Sequence, residues 1–387
     1  MQRKAYKFRL YPTCAQETAL RQTLETCRGL YNSLLDERKH DYELFGKSPS
    51  CSQQQKHLPV WKKSHPELCD VFSQVLQNVA KRVDLAFDAF FRRVKAGENP
   101  GYPRFKGKGH YDSITYPQAG FFLGEASVYL SKIGNIKAVL HRDVCGKIKT
   151  CTVSRQGEKW FVCFSCEVEV EPLPESTEQV GMDVGLLHFA ALSNGEFIQN
   201  PRFFRKEEKA LAKAQRKLSR QKKGSKQSHK ARKVVARIHE RTRNRRHDFV
   251  HQTARRLVNR FGLIGVEELS VKNMSKSPAP KPDTQNPGQF LPNGQAVKAG
   301  LNKSISDAAW SMFRLVLTQK AESAARVVLA VNPAYTSQDC SECGYRVQKT
   351  LSVRVHACPC CGLILDRDVN AARNILKIAV GLHSVPA

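Results

Sequence analysis

Two closely spaced cysteine pairs near the C-terminus constrain this chain more than any other feature. Cys340-Ser-Glu-Cys343 is followed, fourteen residues on, by Cys358-Pro-Cys360-Cys361. Each Cys-x-x-Cys turn aims two thiolates at one point, and four thiolates close a tetrahedron around one structural zinc ion. A knuckle this short has too little core to fold without its metal. The expected ligands are Cys340, Cys343, Cys358 and Cys361, with Cys360 an extra thiol inside the second pair. Just beyond lies Asp366-Arg-Asp368-Val-Asn370-Ala-Ala-Arg-Asn374, where Asp368 enters the first turn of an apolar-periodic helix expected over 369–380. An acid held by a metal-clamped hairpin suggests a site, with partners to be sought upstream.

Charge narrows the partners. The chain has 63 lysines and arginines against 35 acids, a net +28. Such an excess suits a polyanion, most simply nucleic acid, with an anionic membrane as the competing surface. No apolar run approaches a spanning helix, and Met1-Gln-Arg-Lys lacks the apolar core of a signal peptide. Thirteen cysteines, four of them in a zinc pattern, fit a reducing, cytoplasmic compartment better than a disulfide framework. With 387 residues and 41% hydrophobic content, two or three domains with real cores are expected.

Alternating apolar and basic residues from Lys4 to Pro12 predict a half-buried strand. Thr13 opens a helix to about Tyr42, a polar loop covers 45–55, and a second helical region runs over 61–94 with a break near Pro66. Its later part should bury Val75, Val79, Val83, Ala86, Phe87, Phe90 and Phe91. The loop 99–109 interleaves aromatics with Arg104, Lys106 and Lys108, a composition suited to stacking bases and tracking a backbone, or to an ordinary solvated loop. Short strands at 113–116, 126–130, 136–140, 147–153 and 159–170 suggest a small barrel. The expected N-terminal domain is therefore 1–172, with helices over about 13–98. The acidic, proline-containing stretch within 171–178 marks the boundary, so 173–179 is read as a linker.

The second domain, 180–387, begins with a strand interrupted by Asp183. Residues 204–246 hold 18 lysines and arginines against three glutamates, with a thin apolar stripe broken at 222–227. That describes a basic helical hairpin; such a run is commonly just a solvated face, but with more than half of the net charge it is expected to contact phosphates. The helix resumes over 251–258, a strand at 263–269 ends in Glu267 and Glu268, and 275–300 should be a mobile lid. An amphipathic helix over 304–328 and a strand at 327–332 lead into the ribbon, 336–364.

Asp183, Glu267 and Asp368 stand in apolar or site-like settings. A buried carboxylate is costly unless paired or holding a cation. Salt bridges to the many basic residues are one solution. The other is magnesium, which prefers hard oxygen ligands, and the strand–helix order around the acids makes one α/β sheet plausible. Two such ions would activate a water and stabilise the leaving 3′ oxygen of a phosphodiester.

Gly181-Met-Asp183-Val-Gly185-Leu, Val266-Glu267-Glu268-Leu269, Thr336-Ser-Gln-Asp-Cys340-Ser-Glu-Cys343-Gly344 and Asp366-Arg-Asp368-Val-Asn370-Ala-Ala resemble the TnpB family, transposon-encoded relatives of type V CRISPR effectors. So do Tyr6-Lys-Phe-Arg-Leu-Tyr11-Pro12, Tyr102-Pro-Arg-Phe-Lys106 and Ile114-Thr-Tyr-Pro117, and the resemblance spans nearly the whole chain. It implies a multidomain α+β protein: an N-terminal wedge barrel with a helical insertion, then an RNase H-like (RuvC) α/β domain with an inserted zinc ribbon. The implied activity is RNA-guided, magnesium-dependent DNA cleavage with two Mg2+ ions on Asp183, Glu267 and Asp368. Glu268 and Asp366 are adjacent residues outside that pattern.

The implied partners are a guide RNA from the transposon end and double-stranded target DNA. No membrane association is expected, a monomer is favoured, and the setting is a prokaryotic cytoplasm, at the nucleoid when bound to DNA. Gln77 and Thr115 resemble positions that read the adjacent DNA motif. Arg104 and Lys106, with Arg216, Lys217, Arg220, Lys230, Arg237 and Arg241 of the hairpin, would line a nucleic-acid channel. A cleavage-deficient RNA-guided regulator is the alternative, but it would be expected to lack one of the three acids. An accessory transposase ranks last, because no recombinase nucleophile motif is evident.

Overall fold

A computed structural model of the chain describes residues 1–384 apart from positions 287 and 351. The parts of the expected lid, ribbon and nuclease spans at 287, 351 and 385–387 lie outside the described residues. The chain divides into two compact units, Met1–Glu169 and Val170–Ala387.

In the first unit the alternating start forms β1 (Gln2–Tyr11), which buries Tyr6, Phe8 and Leu10. Thr13 and Gln16 build a capping box that opens α1 (Cys14–Phe45), and Gly46, at φ 65°, closes it. The expected polar loop 45–55 ends at Ser50. There a second capping box, Ser50 with Gln53, starts α2 (Cys51–Ser64), a cap signal hidden in a polar composition. A 3-10 turn (Pro66–Asp70) precedes α3 (Ser73–Lys95), which buries Val75, Leu76, Val79, Ala80 and Val83. Phe91, expected inside, is 54% exposed.

Six further strands follow: β2 (Ser113–Tyr116), β3 (Phe121–Leu123), β4 (Ser127–Leu130), β5 (Gly134–Val139), β6 (Lys147–Gln156) and β7 (Lys159–Val168). With β1 they form an antiparallel sheet ordered β2-β6-β7-β1-β5-β4-β3. Among the described residues no ladder joins the edge strands β2 and β3. The hydrogen bonding is therefore that of an open sheet where a small barrel was expected.

The second unit opens with β8 (Gln179–Val184), β9 (His188–Leu192) and β10 (Phe197–Gln199). The basic hairpin is α4 (Phe203–Ser219) and α5 (Lys226–Arg260); the latter is unbroken, so the helix expected to resume at 251 is its continuation. Then come β11 (Leu263–Glu267), α6 (Val271–Met274), and the short strands β12 (Lys281–Pro282) and β13 (Phe290–Leu291). Next, α7 (Gln295–Ala308) begins inside the expected lid and is followed by α8 (Trp310–Ser323). The single helix expected over 304–328 is divided because Ala309 turns left-handed, φ 57° and ψ 40°. β14 (Val327–Val331), β15 (Val355–Ala357), β16 (Ile364–Asp366) and α9 (Arg367–His383) complete the chain.

The main sheet of this unit has the order β10-β9-β8-β11-β14. β8, β11 and β14 are parallel, and β9 and β10 run antiparallel to their neighbours. Its core gathers Met182, Phe189, Ile264, Val266, Trp310, Phe313 and Leu317. Asp307 of α7, 3% exposed at its side chain, ties the hairpin down. It accepts the Phe204 and Arg205 amides at 2.9 and 3.2 Å, as a helix cap would, and pairs with Arg246 at 3.0 Å. Among the described residues no helix is long and apolar enough to cross a membrane.

Candidate functional site

Strand register brings the first two acids together. Gly181 lies opposite Gly265 and Met182 opposite Val266 in the parallel β8–β11 ladder. Asp183 and Glu267 are the next residues, and side chains alternate, so both leave on the face shared by the two glycines. Helix α9 packs on that face. A Cβ at Gly181 would lie 2.0 Å from the Ala372 carbonyl oxygen, and one at Gly265 would lie 2.9 Å from the Ala379 Cβ. The missing side chains let the helix sit down on both strands, with Asp368 in its first turn at the carboxyl ends of β8 and β11.

The electrostatics record this convergence. Burial holds the Asp183 carboxyl well above the usual carboxylate range; the charges of Glu267 and Asp368 push it further, and the Arg367 guanidinium offsets part of the rise. Burial also raises Glu267, with Asp368 adding, while a hydrogen bond from Thr336 Oγ1 to Glu267 Oε1 at 2.7 Å pulls it back. Asp368 pairs with Arg367 at 3.0 Å and Arg354 at 3.8 Å. Asp366 instead caps α9, accepting the amides of Asp368 at 2.8 Å and Val369 at 3.2 Å, and Glu268 is exposed.

The four thiols form a tight cluster. Cys340 and Cys361 sulfurs are 3.6 Å apart, Cys343 and Cys358 sulfurs 3.5 Å, and all four ligand atoms lie within 4.8 Å of one another. A tetrahedron with zinc–sulfur bonds of about 2.3 Å has edges of about 3.8 Å, so the residues fit zinc. The Cys361 and Cys360 amides help lower Cys358 to about 6, while hydrogen bonds with the other thiols help push Cys343 up to about 12, the uneven sharing of protons expected of four crowded thiols. Cys360 itself is exposed and outside the group.

Two amide side chains of α9, buried Asn370 and half-buried Asn374, fasten the ribbon to the helix that carries Asp368. Asn370 accepts the Ser341 amide at 2.9 Å and donates to the Asp339 carbonyl at 2.8 Å. Asn374 donates to the Thr336 and Asp339 carbonyls at 2.8 and 2.7 Å. Sequence reasoning missed Thr336, Asn370, Asn374 and both arginines on Asp368 as site residues. All but Arg354 fall in or beside motif stretches already singled out, but, apart from Arg367 beside Asp368, their partners are remote in sequence.

The expected nucleic-acid residues are placed as follows. Arg216, Lys217, Arg220, Lys230, Arg237 and Arg241 are exposed on the hairpin, with Arg241 3.3 Å from Glu207. In the first unit Gln77 and Arg104 are exposed. Lys106 is half-buried, its backbone held by Asn32 and Arg28. The Thr115 hydroxyl is already engaged, 3.0 Å from both Arg82 and Thr152.

Residues 163–278 match the family described as "Probable transposase", and 310–375 match the "Cas12f1-like, TNB domain". Residues 1–47 match a "Helix-turn-helix domain", although the structure there is one strand followed by a 32-residue helix. The chain is 36% identical over 378 residues to "Putative RNA-guided DNA endonuclease InsQ" of Escherichia coli K12, covering 96% of this chain and 91% of that one. A "Putative RNA-guided DNA endonuclease" of Streptomyces pristinaespiralis is 35% identical over 389 residues, covering 98% and 90%. In fold the chain is similar to a protein in a Cas12f1–sgRNA–target DNA complex, with a TM-score of 0.55 at 13% identity over 97% and 98% of the two chains. Two relatives matched at this identity along almost their entire length settle kinship, and the chain belongs to the TnpB-like proteins related to the type V effectors.

Proposed function

We propose that the chain is an RNA-guided DNA endonuclease whose second unit is an RNase H-like, RuvC-type nuclease domain. The observation that carries this reading is the convergence of Asp183, Glu267 and Asp368 at the carboxyl ends of two parallel strands and the start of one helix. Three partly buried carboxylates repel one another, and their environment favours either protonation or divalent cations. In donor chemistry, three hard carboxylates suit magnesium. Two ions on these acids would supply the charge that readies a water for attack and stabilises the leaving 3′ oxygen. The chain's own part is to hold the carboxylates on rigid elements, with α9 pressed onto β8 through Gly181. The curated relatives, matched over about nine-tenths of their length, support guidance by RNA.

On this reading the guide pairs with one DNA strand and the protein holds the heteroduplex through its backbone. The exposed cations of α4 and α5 suit that task. The first unit would be a wedge that reads a short flanking DNA motif. Exposed Gln77 is better placed for this than Thr115, whose hydroxyl is already bonded.

The test is cleavage of plasmids with randomised sequence flanking a fixed target, using protein purified with its RNA. Magnesium-dependent cutting beside one flanking motif is expected, and it should vanish in Asp183→Ala, Glu267→Ala and Asp368→Ala. Cutting that survives Asp183→Ala, or that needs no RNA, would overturn the proposal.

A further inference from the structure

Thr336 is 3% exposed and stands where the ribbon leaves β14. Its hydroxyl lies 2.7 Å from Glu267 Oε1 and 3.1 Å from the Pro333 carbonyl oxygen. One proton cannot serve both acceptors, and the shorter bond to a carboxylate is the stronger. The same residue's carbonyl accepts the Asn374 side chain, and Asn374 and Asn370 also hold the Asp339 carbonyl one residue before Cys340. The turn 336–339 is thus fastened on three sides: to Glu267 on β11, to the helix bearing Asp368, and to the cysteine cluster.

We propose that Thr336 is a positioning residue for the carboxylate centre. It orients Glu267 from the ribbon, so that an intact four-cysteine knuckle sets the spacing between Glu267 and Asp368. The inference rests on the endonuclease reading given above. A carboxylate with one oxygen tied down presents the other in a fixed direction, and outer partners of this kind change metal affinity or activity by about 10–100-fold when removed.

Thr336→Val keeps the shape and deletes the donor, while Thr336→Ser keeps the donor. The measurements are Mn2+ affinity of the protein–RNA complex by electron paramagnetic resonance, and kcat and KM for target DNA against Mg2+ concentration. Thr336→Val should bind Mn2+ about 10–100-fold more weakly and need correspondingly more Mg2+. Its kcat should fall with KM for DNA unchanged, and Thr336→Ser should restore both. Zinc content and melting temperature separate this from misfolding, since both variants should hold one zinc per chain. Wild-type Mn2+ affinity and Mg2+ dependence in a folded, zinc-loaded Thr336→Val would overturn the positioning role. If Thr336→Val instead lost its zinc, Thr336→Ser would decide: a zinc-loaded Ser variant with weak Mn2+ binding would also overturn it. Glu267→Ala is the control, because cleavage that persists there sinks the parent reading, whereas a dead Glu267→Ala beside an unaffected Thr336→Val sinks only this one.

Discussion

The two candidate metal centres of the second unit are built in opposite ways. The cysteines lie within residues 340–361, on two turns, and their sulfurs close to within 4.8 Å of one another. The acids sit at 183, 267 and 368 and meet only because two strands pair in register and a helix lands on two glycines. The thiol site is local and nearly self-assembling once a metal arrives. The acid site is assembled by the whole sheet. Losing the first should therefore damage structure and chemistry together, and losing the second should damage chemistry alone.

The sharpest break is Asp183→Asn. Electrophilic stabilisation by bound cations supplies several kcal/mol, so cleavage should fall on the order of 10³-fold or more. Melting temperature should hold or rise, because a repelled, partly buried charge is removed. A variant that unfolds while residual activity tracks the folded fraction would erase the contrast. Cys340→Ser comes next: zinc content should drop from one per chain, 336–364 should become protease-sensitive, and cleavage should fall with it, about 10–100-fold if the ribbon acts through Glu267. Cys360→Ser should keep its zinc. Equal zinc loss in the two would mean the wrong cysteine has been assigned.

The same contrast explains what could be read from the chain. The Cys-x-x-Cys pairs announce their partners by spacing alone, whereas only resemblance told Asp368 from Asp366, which in the fold caps the helix. Strand β11 was legible as an apolar run ending in acid. The capping box at Ser50 was missed because Gln53 sits in a polar stretch. The break at Ala309 has no glycine or proline to mark it. β9 and β10 went unremarked, though they extend the sheet that holds Asp183. Thr336 could not be found from sequence because its partner, Glu267, lies 69 residues away.

Gly181 tests the register argument directly. In Gly181→Ala the new methyl meets backbone, not a flexible side-chain end, with the Ala372 oxygen 2.0 Å from the added Cβ. Overpacking of this kind costs about 1–3 kcal/mol, read as a lower melting temperature. Cleavage should fall as α9 lifts and carries Asp368 outward, while zinc content stays at one per chain. An unchanged melting temperature would show that the helix does not rest on β8.

The smallest effect is on pH, and its sign follows from Asp183. Its folded carboxyl is raised above the ordinary value of 3.8, chiefly by burial and then by its acidic neighbours. Above about pH 4 the folded state therefore holds a proton the unfolded chain has released, and stability falls as pH rises until the folded group has also ionised. One such group gives a slope of at most about 1.4 kcal/mol per pH unit. In magnesium-free buffer, wild type should lose stability relative to Asp183→Asn as pH climbs through that window. Added magnesium should recover the loss most strongly at the high-pH end, where the acids bind cations without first releasing protons. The cysteine centre offers no such recovery with magnesium, since thiolates select softer ions. Parallel wild-type and Asp183→Asn curves across the whole range would show that the folded Asp183 carboxyl is not raised.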